Sequence, residues 1–99
     1  MSGLVDFENL PWIQVANGMR CKTFTSGPKV IRMIELTEGF VELDWCLKSH
    51  TNYILEGEFV SDFDGERLRV KKDDVIYIPE GRKHKAILEK GERVLMLDF

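Results

Sequence analysis

The chain has 99 residues, a formal net charge of −3 and 43% hydrophobic residues, a composition typical of a globular protein, and we expect one domain over residues 1–99. The acidic balance argues against nucleic-acid binding, and we find neither a signal peptide nor the roughly 18-residue apolar run that spans a membrane. We therefore expect a cytoplasmic protein whose two cysteines, Cys21 and Cys46, are reduced.

The N-terminal part of the chain, residues 1–29, predicts a surface segment followed by a hairpin. Its two strands are predicted at residues 12–15 and 19–24. Between them lies Asn17-Gly18, a pair that favours the positive φ angles of a tight turn. This pattern predicts that the N-terminal strands lie against the main body of the fold.

The main body is predicted over residues 30–99, and it opens with a strand at residues 30–36. Polar and apolar side chains then alternate over residues 40–48, which is the period of a strand with one buried face. The expected buried face consists of Val41, Leu43, Trp45 and Leu47, and the opposite face of Glu42, Asp44, Cys46 and Lys48.

The remaining strands are predicted from hydrophobic runs separated by turns. They cover residues 53–63, 66–70, 75–78, 84–88 and 93–99. The Asp64-Gly65 turn places Asp62 opposite Arg67, an opposite-charge pair that supports this register. No segment repeats with the period of a helix, so the sequence predicts an all-β fold with no helix longer than about two turns.

From residue 30 onwards the chain resembles the cupins, a family of small double-stranded β-helix (jelly-roll) barrels. The run P-E-G-R-K-H at residues 79–84 fits the centre of the second cupin motif, P-x-G-x-x-H, in full. Gly39 and Gly57 match the two glycines that enclose the first motif. The resemblance implies a small single-domain cupin barrel, with His84 at the family's second-motif metal-ligand position.

The first motif departs from the family at its metal ligands. Cupins commonly hold a divalent metal with two histidines and a glutamate of this motif, together with the second-motif histidine. Counted from the enclosing glycines, Trp45 and Leu47 stand at the histidine positions and His50 at the glutamate position. Because indole and isobutyl groups cannot ligate a metal, His50 and His84 remain as the expected ligands. We expect no tight four-ligand site and no cofactor beyond a weakly bound divalent metal, zinc, nickel, iron or manganese.

In this register the expected ligand pocket is lined by Trp45, Leu47, His50 and His84. The histidines would supply hydrogen bonds or acid–base groups near neutral pH, and Trp45 and Leu47 an apolar wall.

A register shifted by one residue gives a second interpretation. Asp44 and Cys46 then face inward with His50 and His84, and the four side chains suit zinc or iron. The shift moves the whole apolar face of residues 40–48 outward.

Three functions are consistent with these residues. The first is a cupin barrel that binds a small polar or anionic molecule in its pocket and has a degenerate metal site. The alternative is a metal-dependent cupin enzyme of the isomerase, dioxygenase or sugar-modifying type. The third is a structural subunit that uses its barrel for oligomer contacts. The sequence identifies no catalytic residue and no substrate.

Assembly is predicted from apolar residues that precede the motifs. They are Leu4, Phe7, Leu10, Trp12 and Ile13. On a lone barrel they would form an exposed apolar patch, which usually marks an interface. The resemblance to small cupins, which form dimers, also implies a dimer. We expect an isologous homodimer to which the N-terminal strand contributes.

Overall fold

The computed structural model describes residues 3–99, and these form an almost entirely antiparallel β structure. The helical content of these residues is one 3-10 turn at Phe7–Asn9, and no helix among them is long and apolar enough to cross a membrane. The strands are β1 Ile13–Ala16, β2 Met19–Ser26, β3 Lys29–Thr37, β4 His50–Asp62, β5 Arg67–Lys71, β6 Val75–Ile78, β7 Lys85–Ile87 and β8 Arg93–Asp98. The predicted all-β class is confirmed.

The longest strand, β4, belongs to both sheets of the barrel. Its first half, residues 50–57, pairs with β6 and β8. Its second half, residues 58–62, pairs with β5 and β7. The larger sheet continues from β8 through β3 and β2 to β1, whose one strand partner in the described part of the chain is β2. The barrel interior is therefore closed by one strand that crosses from sheet to sheet.

Gly57 lies at this crossing. Its φ of +77° is in the left-handed region, and a Cβ added there would overlap the carbonyl oxygen of Arg93 on β8. The ladder with β8 also shifts register between Ile54 and Glu56. Glycine is needed here because the strand bends while its backbone lies directly against β8.

The core fills the space between the sheets with side chains from every long strand. Ile54 and Val94 are completely buried. The other buried apolar side chains are those of Cys21, Ile34, Leu36, Phe59, Val70, Ile76, Ile78, Leu88 and Met96. Both cysteines are free thiols.

A buried carboxylate ties three strands together. Glu35 on β3 accepts from Arg20 on β2 at 2.7 Å and from Arg93 on β8 at 2.8 Å. The hydrogen bond from Arg20, followed by those of Arg93, holds the pKa of Glu35 below its ordinary value even though burial acts in the opposite direction. Arg20 also lies over the Trp12 ring at 4.4 Å, so the same cluster holds the N-terminal segment on the sheet.

The turn signals are confirmed, since Asp62 pairs with Arg67 across the hairpin and their side chains form an ion pair at 3.7 Å.

The prediction of a strand at residues 40–48 is wrong. The only ladder contact of this segment in the described chain is one bridge between Cys46 and His84. Val41 and Leu43, expected inside, are 70% and 87% exposed.

The physical reason for this difference lies in the side chains of the segment. The Glu42 carboxylate accepts from the Ala86 backbone N–H at 2.9 Å, where a paired strand would have supplied a carbonyl. Phe40 packs against the core, and the cavity receives Cys46 and Lys48. Phe40, Glu42 and Cys46 thus anchor the segment, while Val41, Leu43 and Leu47 are exposed.

The glycine at the β4 crossing gives a first prediction. Gly57→Ala should lower the free energy of unfolding by more than about 3 kcal/mol, because backbone strain of about 1–3 kcal/mol adds to the overlap with Arg93. Urea unfolding measures the change. Gly27→Ala is the matched control, since Gly27 also has a positive φ but has nothing within 4 Å of an added Cβ. Equal losses in the two variants would contradict the role given to the close approach.

Candidate functional site

A cavity of about 440 Å³ occupies the barrel interior. Its walls are mainly apolar, formed by side chains that include Ile34, Leu36, Phe59, Ile76, Ile78 and Met96. Its polar groups come from β2 and β3, from the ends of β4 and β8, and from the segments that precede β4 and β7. An apolar pocket with a few convergent polar groups is typical of a small-molecule site.

Three potential metal ligands converge in this cavity. Cys46, His50 and His84 each offer a ligand atom, and these atoms lie within 4.8 Å of one another. The Cys46 Sγ lies 3.6 Å from His50 Nε2, and the two imidazole rings meet edge to face with centroids 5.1 Å apart. Two mutual backbone hydrogen bonds between Cys46 and His84 fix this arrangement.

The His84 ring has a defined tautomer. Its Nδ1 lies 2.7 Å from the Arg82 carbonyl oxygen, which can only accept, so Nδ1 carries the proton. Its Nε2 therefore holds a lone pair, and this atom is buried without a hydrogen-bond partner among residues 3–99. A buried polar atom left unpaired costs roughly 1–3 kcal/mol. A metal or ligand in the cavity would satisfy it.

His50 is oriented in the same way by a carboxylate. Its Nδ1 faces Asp98 Oδ1 at 3.6 Å, and the Asn52 side chain donates to the same oxygen at 3.0 Å. Hydrogen bonding to Asp98 is the main cause that raises the pKa of His50 above 6.5; burial opposes it and Cys46 adds to it. The ring thus presents Nδ1 to Asp98 and Nε2 to Cys46.

These residues fit a metal ion. Both imidazoles have Nδ1 directed to an oxygen atom and Nε2 directed to the cluster, which is the pattern by which outer groups orient metal-bound histidines. One thiol and two imidazoles suit zinc and related borderline metals. Three protein ligands would leave a coordination position open to the cavity, as in catalytic rather than structural zinc sites. Without a metal, the same atoms form a thiol–imidazole–carboxylate series.

The structure brings together some of the candidate residues and separates others. His50 and His84 both line the cavity, and so does Cys46. Trp45 and Leu47 are not among its lining residues: Lys85 Nζ lies over the Trp45 ring at 4.6 Å, and Leu47 is 52% exposed. Cys46 faces inward as in the shifted register.

Asp44, the fourth member of the shifted set, is exposed and outside the cluster. Asp98, Asn52 and Arg32 also line the cavity, and no sequence motif predicted them as site residues. A signal for Asp98 was present, because Val94, Met96 and Asp98 alternate on one face of β8.

Comparison with known proteins identifies relatives of this fold. Residues 48–99 match the family model described as the cupin domain. The polyketide cyclase RemF from Streptomyces resistomycificus is similar at 20% identity and a TM-score of 0.80, over 99% of this chain and 78% of that one. KdgF from Halomonas sp. is similar at 20% identity and a TM-score of 0.75, over 99% and 93%.

A third structure, a cupin 2 conserved barrel domain protein from Salinispora arenicola, is similar at 18% identity and a TM-score of 0.69, over 99% and 85%. At such identities these similarities establish the fold alone. No curated protein sequence matches this chain.

The contact between Asp98 and His50 gives a second prediction. Asp98→Asn should lower the pKa of His50 toward its ordinary value, because the variant loses the main group that raises it. Imidazole NMR titration of the metal-free protein measures this change. Asp73→Asn is the control, since Asp73 contacts the Tyr53 hydroxyl at 3.0 Å and lies outside the cavity lining.

The raised pKa of His50 makes the free energy of unfolding depend on pH. Protonated His50 stabilises the metal-free fold fully below its unfolded pKa, near 6.5, and this contribution is lost as the pH rises through the higher folded-state pKa. The difference in free energy of unfolding between the unmodified protein and Asp98→Asn should therefore shrink as the pH rises across that range. An unchanged His50 titration in Asp98→Asn would contradict the interpretation.

Proposed function

Since the chain belongs to the cupin family, we propose that its barrel binds a small polar or anionic molecule at a metal ion held by Cys46, His50 and His84. The observation that supports this most directly is the buried Nε2 of His84, which has no partner among residues 3–99. The proposal adds Cys46 to the two histidines that the motif comparison retained. It also moves Trp45 and Leu47 from the pocket to the outside of the segment.

The protein's own residues have separate parts in this proposal. The Arg82 carbonyl orients the His84 ring by accepting from its Nδ1, and the Asp98 carboxylate faces Nδ1 of His50 at 3.6 Å. Phe59, Ile76 and Met96 exclude water and contact the apolar part of the bound molecule. A divalent metal supplies a Lewis acid that polarises an oxygen of that molecule.

The alternative, a metal-dependent enzyme of the isomerase, dioxygenase or sugar-modifying type, rests on the same centre. The observation that favours it over simple binding is that only three candidate ligands meet in the described cavity, since a metal held by three protein ligands would keep a position for substrate or water. His50, with a raised pKa and an oriented ring, is suited to proton transfer when it is not ligating.

Metal binding gives a third prediction. The protein should bind one equivalent of Zn²⁺ or Co²⁺, and the Co²⁺ form should show a thiolate charge-transfer band, because a sulfur ligand is present. Cys46→Ser should abolish that band. It should also weaken binding by more than the roughly 10- to 100-fold that loss of an outer partner costs. Absorption titration and elemental analysis measure the two effects.

Trp45→Phe is the matched control, since it changes the neighbouring side chain outside the cavity lining and should leave the band unchanged. His84→Ala should weaken binding as Cys46→Ser does. A protein that fails to bind Co²⁺ at micromolar concentration, or whose Co²⁺ spectrum is the same in Cys46→Ser, would overturn the metal proposal.

We also propose that the chain forms a homodimer through the free edge of β1. Among residues 3–99 this strand pairs only with β2, and its four residues are all exposed. Ile13 and Val15 are 56% and 53% exposed, although Val15 lines the cavity. An unpaired edge beside apolar side chains favours pairing with a second copy. We further propose that residues 1–99 form a single cupin domain, in which residues 1–29 supply the N-terminal strands and residues 30–99 the barrel.

The dimer gives a fourth prediction. Light scattering should give twice the chain mass of 11.5 kDa, and Val15→Lys should shift the mass to that of the monomer because a charge would be buried at the interface. Val41→Lys is the control, since Val41 is 70% exposed on the segment before β4. A monomeric unmodified protein, or a dimer unaffected by Val15→Lys, would contradict it.

A further inference from the structure

The cavity contains two basic side chains besides the metal-ligand cluster. Arg32 on β3 lines the cavity, and its side chain is 49% exposed. Its one ion pair in the described chain is long, 3.5 Å from Nη1 to Asp98 Oδ2. An arginine has five N–H donors in a rigid fork, so most of the Arg32 donors are available to a bound molecule. Lys48, which is exposed, lines the same cavity.

The two acidic side chains of the cavity are engaged with the protein itself. Glu42 accepts from the Ala86 backbone N–H at 2.9 Å. Asp98 accepts from Asn52 at 3.0 Å and also faces His50 and Arg32. These contacts offset part of the negative charge, while the outer N–H groups of Arg32 have no comparable partner. The interior thus favours an anion, and a divalent ion held by one thiolate would strengthen this preference.

Arg32 is joined to the metal-ligand cluster through a single carboxylate. One oxygen of Asp98 faces Arg32 and the other faces His50. An anionic group on Arg32 would therefore be separated from His50, a member of the ligand cluster, only by the Asp98 carboxylate. A small molecule can span that interval while its remaining surface contacts the apolar wall around Ile34 and Met96.

We propose that the molecule bound in the barrel is a carboxylic acid with an apolar body and a second oxygen, and that Arg32 receives its carboxylate. This inference rests on the proposed function for the placement of the second oxygen, which lies at the Cys46–His50–His84 centre. Arginine suits this task because its planar fork matches both carboxylate oxygens. Lys48 adds a positive charge at the same cavity.

The test uses phenyllactate, which has a carboxylate, a hydroxyl and an aromatic body, and its neutral analogue phenyllactamide. Calorimetry on the Zn²⁺-loaded protein should show that the acid binds about 10- to 100-fold more tightly than the amide, as a charge-assisted pair predicts. Arg32→Gln should remove this preference by weakening only the acid. Arg32→Lys should keep part of the preference for the acid over the amide. Lys48→Gln should reduce this preference less than Arg32→Gln does.

Arg67→Gln is the matched control, because Arg67 lies on β5 outside the cavity and pairs with Asp62. Each variant is compared for its unfolding midpoint and its Co²⁺ affinity, so that loss of folding or of metal is recognised. Equal affinity for acid and amide, or an acid preference that survives Arg32→Gln, would overturn the inference and leave the metal proposal intact. An Arg32-dependent acid preference in a protein that binds no metal would support the carboxylate site and reject the metal centre.

Discussion

The close contact between the β4 backbone at Gly57 and β8 at Arg93 is the constraint on which the rest of the barrel depends. Only a residue without a Cβ allows β4 to bend there, and the bend lets one strand serve both sheets. The two halves of β4 then lie on different walls of the same interior. His50 begins one half, and Phe59 and Ser61 in the other half face it across the cavity.

The functional cluster depends on backbone contacts as much as on side chains. The paired hydrogen bonds between Cys46 and His84 bring together two residues that are distant in the chain. The acceptors behind each ring, Asp98 and the Arg82 carbonyl, then decide which nitrogen faces the interior. A thiol and two imidazole lone pairs are thereby directed to one point without ordering entropy being lost when a ligand arrives.

The two acidic side chains of the cavity, Asp98 and Glu42, are both in contact with other groups of the protein. Asp98 contacts Arg32, Asn52 and His50, so one carboxylate links the Arg32 side of the pocket to the side that holds the Cys46–His50–His84 cluster. Glu42 supplies a hydrogen bond to the β7 backbone in place of a strand partner. Because both acidic side chains accept hydrogen bonds from the protein, the basic side chains of Arg32 and Lys48 keep donors that a bound molecule could use.

The sequence alone determined the all-β class, the turns at Asn17-Gly18 and Asp64-Gly65, and the cupin resemblance, because these depend on local φ preferences and on a short motif. The cupin resemblance also implied His50 and His84 as ligands, at positions counted along the family's motifs. Only the tertiary structure decided that Cys46 rather than Trp45 faces the cavity. Over residues 40–48 the alternation is the same in either register, and the inward face is set by distant partners, the backbone of His84 and the N–H of Ala86. Arg32 and Asp98 were likewise joined only by folding, since β3 and β8 are neighbours in the sheet and far apart in the chain.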